Sequence, residues 1–225
     1  DLRMSRGLGD VYKRQIVNRY RYIEQLSRSK NNGLIKIITG LRRSGKSFLL
    51  KKLFHQHLLD EGVREDHILV IDMESRKNRE FKNPDYLLDW VEKMMIDYET
   101  YYIIIDEVQE VEDFVEVLSS LSVTEGADVY VTGSNSRFLS SDLVTEFRGR
   151  GDEIHVWPLS FKEFMTVYDG SKEDGWAEYR LYGGLPQLLT QVGDEKKADF
   201  LRRLYRTVYP VSYTHLRAHE TCADL

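Results

Sequence analysis

The 225-residue chain has a single cysteine, four prolines and no long apolar run. The lone Cys222 cannot close a disulfide within the chain and cannot hold zinc unaided. No stretch approaches the roughly 18 to 20 apolar residues of a membrane span. The amino terminus is polar, where a secretory leader would carry a basic patch followed by an apolar one. The reading is therefore a protein without a span or leader, suited to a reducing, cytoplasmic interior. Charge of one sign is scarce too: 32 basic against 37 acidic residues leave −5 at pH 7, which offers nucleic acid no broad basic surface. What is present is 41% hydrophobic and 31% charged residues, a folded rather than disordered or fibrous composition. The length accommodates one core of about 150 to 200 residues and a small appendage.

Residues 1–15 (DLRMSRGLGDVYKRQ) and 211–225 (VSYTHLRAHETCADL) closely resemble translated sequencing-adapter read-through. On that reading Cys222, His215 and His219 carry no functional weight, and the protein continues past Pro210. Between these ends the apolar spacing predicts a helix over 16–29, a strand over 34–38 and a helix over 46–59. Further on it predicts a strand over 67–72, a helix over 84–98, a strand over 101–105, a helix over 113–121, and strands over 127–132 and 153–157. Helical patterns follow over 160–168, from Trp176 with interruptions at Gly183, Gly184 and Pro186, and over 198–207. Strands alternating with helices predict an α/β fold: a three-layer core over 16–157 around a five-stranded, mostly parallel sheet. Residues 158–210 then form a helical lid or the start of a second domain.

Two motifs carry chemistry. Gly40-Leu41-Arg42-Arg43-Ser44-Gly45-Lys46-Ser47 matches G-x-x-x-x-G-K-[S/T], between a predicted strand and a predicted helix. The glycines let backbone N–H groups converge on an anion, and the following helix adds its positive dipole end. Lys46 would reach the β- and γ-phosphates of ATP, and Ser47 would place its hydroxyl on Mg²⁺. Arg42 and Arg43 either steady phosphate, face a neighbouring subunit or are a solvated pair. The second motif is the apolar run 101–105 ending in Asp106 and Glu107. Asp106 would hold the Mg²⁺ shell and Glu107 would polarise the attacking water; otherwise the two cap the next helix. Past the fourth strand, Ser134 or Asn135 would sense the γ-phosphate, or the segment is a plain turn. Of Arg137, Arg148 and Arg150, Arg150 is favoured as a guanidinium for the transferring phosphoryl group. Its alternative is an ion pair with Glu146 or Glu153.

Together with Thr132-Gly133-Ser134-Asn135-Ser136, Arg148-Gly149-Arg150, the run 157–164 (WPLSFKEF) and Tyr182-Gly183-Gly184-Leu185-Pro186, these motifs resemble the AAA+ superfamily. More narrowly they are similar to prokaryotic ATPases whose nucleotide domain precedes an uncharacterised carboxyl-terminal region. The resemblance covers nearly all of 16–210. It implies sheet order 5-1-4-3-2, Asp106 and Glu107 as the metal-side and water-side acids, Asn135 as sensor, and an arginine from 148–150 acting across or near the nucleotide site. It also implies a second domain of comparable size.

The remaining residues read as structural. His55 and His57 lie on different helix faces and do not share a metal; His67 and His155 lack a Cys or second His at metal spacing. Trp90, Trp157, Phe161 and Phe164 read as core anchors, and the basic window 75–82 as an exposed loop. The leading function is Mg²⁺-dependent ATP hydrolysis coupled to conformational change in an attached domain or partner. A nucleotide-gated binding module with little turnover and a nucleic-acid remodelling motor are the alternatives; a small-molecule kinase follows from the phosphate loop alone. ATP, a protein partner and further copies of the chain are the expected partners, with nucleic acid left open.

Overall fold

The computed structural model describes residues 16–133 and 151–206. Helix α1 (Tyr20–Arg28) leads into β1 (Ile35–Thr39). Helix α2 follows in three continuous segments, α-helical over Lys46–Phe48, π-helical over Leu49–Phe54 and α-helical over His55–Asp60. Next come β2 (Ile68–Asp72), α3 (Pro84–Met94), β3 (Tyr101–Asp106), α4 (Phe114–Ser122), β4 (Ala127–Thr132) and β5 (Gly151–His155). Three helices close the described chain: α5 (Phe161–Met165), α6 (Lys172–Tyr182) and α7 (residues 194–206).

The five strands form one sheet in the order β2-β3-β4-β1-β5, every pairing parallel. This is the 5-1-4-3-2 order that the family resemblance implies. A parallel sheet must be covered on both faces, and the side chains divide accordingly. Ile35, Ile37, Ile103, Ile105, Val129 and Val131 pack against α3 and α4 through Leu87, Val91 and Leu118. Ile38, Ile104, Tyr130 and Ile154 pack against α1 and α2 through Leu26, Leu50 and Phe54. All six residues of β3 are buried. Each of its fully covered isoleucines contributes about 1.5–3 kcal/mol of apolar transfer.

At two of the departures from predicted limits, side-chain hydrogen bonds decide. Helix α3 stops at Met94, short of Tyr98, because Ile96 N–H donates to Tyr101 Oη and Glu99 N–H donates to Asp97 Oδ1. Helix α6 starts at Lys172, ahead of Trp176, because Ser171 accepts from Asp174 N–H and fixes the amino-terminal turn. Window 75–82, expected as a loop, contains a 3-10 segment, Arg76–Lys82, none of whose residues is buried. Trp157 departs from its core role: it is 61% exposed and rests on the His155 ring, whereas Phe164 is buried as expected. The indole lies just past the edge strand β5, where among the described residues no opposing layer covers it.

Candidate functional site

Residues 40–47 connect β1 to α2 at the carboxyl ends of the strands, where parallel sheets leave a crevice open to ligands. The turn depends on left-handed backbone at Gly40 (φ 134°), Arg43 (φ 67°) and Gly45 (φ 99°). Gly40 is also sterically necessary, since a Cβ there would lie 2.2 Å from Val156 O. Gly40→Ala is expected to remove about 1–3 kcal/mol of stability through overpacking and backbone strain. A fall of several degrees in Tm by calorimetry would register it; an unchanged Tm would mean that the loop relaxes freely.

Within the loop, Ser44 N–H donates to Leu41 O. Lys46 is almost wholly buried, and its Nζ donates to Gly40 O (3.1 Å) and Leu41 O (3.2 Å). Burial pushes the Lys46 ammonium below the usual lysine range; Glu107 and Asp106 oppose that shift and Arg42 reinforces it. The two acids of the second motif are thus within electrostatic reach of Lys46. Ser47, half-buried, is the second residue of α2. Arg42 and Arg43 are exposed, with the Arg43 guanidinium 5.1 Å above the Phe200 ring of α7.

Asp106 ends β3 with 1% exposure. Its Oδ1 accepts from Thr132 Oγ1 at 2.6 Å, and its Oδ2 lies 2.6 Å from Lys51 Nζ. Lys51 reaches Asp72 Oδ2 as well, at 2.8 Å. Burial works against the Lys51 ammonium, but hydrogen bonds to Asp106 and Asp72 outweigh it and hold its pKa above the ordinary lysine value. Glu107 adopts left-handed backbone (φ 59°), donates its N–H to Thr132 Oγ1 and accepts from Gln109 Nε2. It precedes the 3-10 segment Val108–Glu110 without a side-chain cap bond, so the capping alternative does not describe it.

Sequence reasoning missed Lys51, Asp72, Thr132 and Arg19. The first three had faint signals: Lys51 lies one helical turn beyond Ser47, and Asp72 and Thr132 end strands as Asp106 does. Arg19 had none. It is 5% exposed and donates to Ser44 O (3.1 Å), Trp157 O (2.7 Å) and Glu163 Oε1 (3.1 Å). One guanidinium thus ties the loop to the segment after β5 and to α5. Pro186 joins them, its Cγ 3.6 Å from where a Gly45 Cβ would stand. Ser134, Asn135, Arg137, Glu146, Arg148 and Arg150 lie outside the described residues. Glu153, a suggested partner of Arg150, accepts from Thr39 Oγ1.

The histidines keep to structural roles. His55 pairs with Glu65, while His57 bonds Ser27 and faces Glu61. Among the described residues, His67 groups with two carboxylates, Asp97 and Glu99, beside the start of β2. Its two ring nitrogens face different acids, and Arg64 already pairs with Asp97, the pattern of an ion-pair cluster. Among the described residues no helix is long and apolar enough to cross a membrane.

The residues present suit a metal-bound phosphate. The Ser44 hydroxyl is fully enclosed and, among the described residues, has no hydrogen-bond partner, a state that costs about 1–3 kcal/mol unless a ligand atom satisfies it. Ser47 and Asp106 offer the hard oxygen donors that Mg²⁺ prefers.

A family model described as "AAA domain" matches residues 32–165. The chain is 35% identical over 180 residues to an uncharacterized protein of Haemophilus influenzae, covering 77% of this chain and 45% of that protein. It is 25% identical over 185 residues to the uncharacterized protein MJ1544 of Methanocaldococcus jannaschii, covering 75% and 39%. The chain therefore spans less than half the length of these relatives. Among solved structures, C. elegans PCH-2 aligns with TM-score 0.46 at 18% identity, covering 65% of this chain and 44% of that one.

Proposed function

The chain belongs to the AAA domain family of P-loop NTPases, and from that premise we propose that it binds ATP with Mg²⁺, hydrolyses it, and passes the resulting change of shape to an attached domain or partner. The observation that carries the reading is the loop 40–47 itself, which at the carboxyl ends of the strands encloses the Lys46 ammonium and an unsatisfied Ser44 hydroxyl, with Asp106 ending β3 and Glu107 following it.

In this reading the backbone of 40–47 cradles the phosphates, and Lys46 turns its ammonium from the Gly40 and Leu41 carbonyls to the β- and γ-oxygens. Ser47 and Asp106 would hold Mg²⁺, which would supply positive charge against the phosphates. Glu107 takes the proton of the attacking water once its carboxylate leaves Gln109. Asn135 senses the γ-phosphate and Arg150 supplies the guanidinium. The contacts of the loop with Arg19, Pro186 and Phe200 give a route by which loop movement reaches α5 to α7.

Phosphate release from ATP and Mg²⁺ tests the proposal. Glu107→Gln is expected to lower turnover by about 10²-fold or more while leaving nucleotide affinity near wild type. Equal turnover in the two proteins would remove Glu107 as the base, and hydrolysis absent from both would sink the enzyme reading. One observation favours a second reading, a nucleotide-gated module that scarcely turns over: the Glu107 carboxylate is held by Gln109. Tight binding with negligible wild-type turnover would support that module instead.

A further inference from the structure

The acid assigned to the metal already has a cation. Asp106 gives one oxygen to Thr132 and the other to Lys51, and the same ammonium is shared with Asp72. Register explains why. Asp72 and Asp106 are paired on adjacent parallel strands, so both carboxylates stand on the sheet face that α2 covers. Adjacent strands are only about 4.8 Å apart, and two ionised acids at that spacing, one of them 1% exposed, repel strongly unless a cation lies between them. Lys51 supplies that charge from α2, one turn beyond Ser47.

The sharing is unequal in a useful way. Asp106 is enclosed and its remaining oxygen is fixed by Thr132, so its direction is set whether or not Lys51 stays. Asp72 is more open, and its Oδ1 accepts from Glu74 N–H, which aims Oδ2 at the lysine. A lysine is a point charge on a flexible stem and can give up one oxygen while keeping another, which a guanidinium locked in a planar fork does less readily.

We propose that Lys51 is the resident counter-cation of Asp106, and that it cedes Asp106 Oδ2 when a magnesium nucleotide arrives while retaining Asp72. The ammonium balances the paired charges of Asp72 and Asp106 before nucleotide binds, and by competing with the metal for Asp106 Oδ2 it sets the Mg²⁺ concentration that nucleotide binding requires. Lys51 is a positioning residue in this scheme, and the scheme rests on the nucleotide reading above.

The test is a Mg²⁺ titration of fluorescent ADP binding at constant ionic strength, starting from chelated protein, with Tm read in parallel with Mg²⁺ alone. Lys51→Met is expected to lower the Mg²⁺ midpoint about tenfold, the scale of one charge-assisted hydrogen bond. It should also gain Tm from Mg²⁺ without nucleotide, where wild type does not. Asp72→Asn leaves Lys51 with Asp106 as its one remaining acid partner among the described residues and is expected to raise the midpoint severalfold. Lys51→Arg keeps the charge but cedes Asp106 Oδ2 less readily, and is expected to raise the midpoint. A merely structural ion pair predicts no such opposition, so midpoints that coincide, or that move together in Lys51→Met and Asp72→Asn, overturn the assignment. Should Lys51→Met fail to fold, a midpoint unmoved or lowered in Asp72→Asn overturns it alone. A wild-type chain that binds no nucleotide at any Mg²⁺ concentration overturns the parent reading and this one with it.

Discussion

Lys46→Ala is expected to lower kcat/KM for ATP hydrolysis by about 10⁴-fold. Two losses combine. A donor aimed at charge that develops in the transition state is worth about 10²–10³ in turnover. A charge-assisted hydrogen bond to the ground-state phosphates adds about 1.5–3 kcal/mol, or one to two further powers of ten in binding. Lys46 is 4% exposed, enclosed between the Gly40 and Leu41 carbonyls, and Arg42 and Arg43 project outward. Lys46→Arg should fare little better, because a planar guanidinium does not fit between two carbonyls spaced for one nitrogen. Phosphate release over a range of ATP concentrations measures the loss, with Tm checking that each variant is folded. A kcat/KM within tenfold of wild type would mean that the phosphates are held elsewhere.

The parts of this site that the sequence discloses are the parts made from contiguous residues. Gly40 to Ser47 is one loop whose glycines, lysine and serine serve a single anion, so spacing alone identifies it. Asp106 and Glu107 are legible because an apolar run, buried on both faces, ends abruptly in two charges. Thr132, Asp72 and Lys51 come from three elements and meet Asp106 through strand register and helix phase, which no local pattern encodes. Arg19 is the extreme case. In sequence it is one more basic residue before an amphipathic helix, yet its partners are 25, 138 and 144 residues away. The fold was more legible than the site because alternation of strand and helix is repeated along the chain, whereas each of these contacts occurs once. Element ends were missed where a side chain such as Tyr101, Asp97 or Ser171 competed with the backbone ladder.

Asp128→Ala is expected to remove about 3–5 kcal/mol of folding stability, the cost of leaving a buried charge unpaired. Lys36 lies within the apolar run of β1 and is 0% exposed; its ammonium reaches Asp128 at the start of β4, whose side chain is 4% exposed. Asp128 also accepts from Tyr130 Oη at 2.9 Å and from Asn31 N–H at 3.2 Å. Deleting the carboxylate therefore strands an ammonium, a phenol and an amide together. Lys36→Met should be milder, about 1–3 kcal/mol, because Asp128 keeps its two hydrogen bonds and the methionine fills the lysine's track. In a domain of this size the larger loss corresponds to about 10 °C in Tm. The double variant separates the causes: if the stranded ammonium dominates, Lys36→Met in the Asp128→Ala background restores stability instead of lowering it further. The pair sits toward the amino ends of the strands, away from the phosphate loop, so variants that remain folded should bind nucleotide as wild type does. Denaturant midpoints for the four proteins provide the measurement. A loss below about 1 kcal/mol for Asp128→Ala would mean that water reaches the ammonium and that this end of the sheet is not closed.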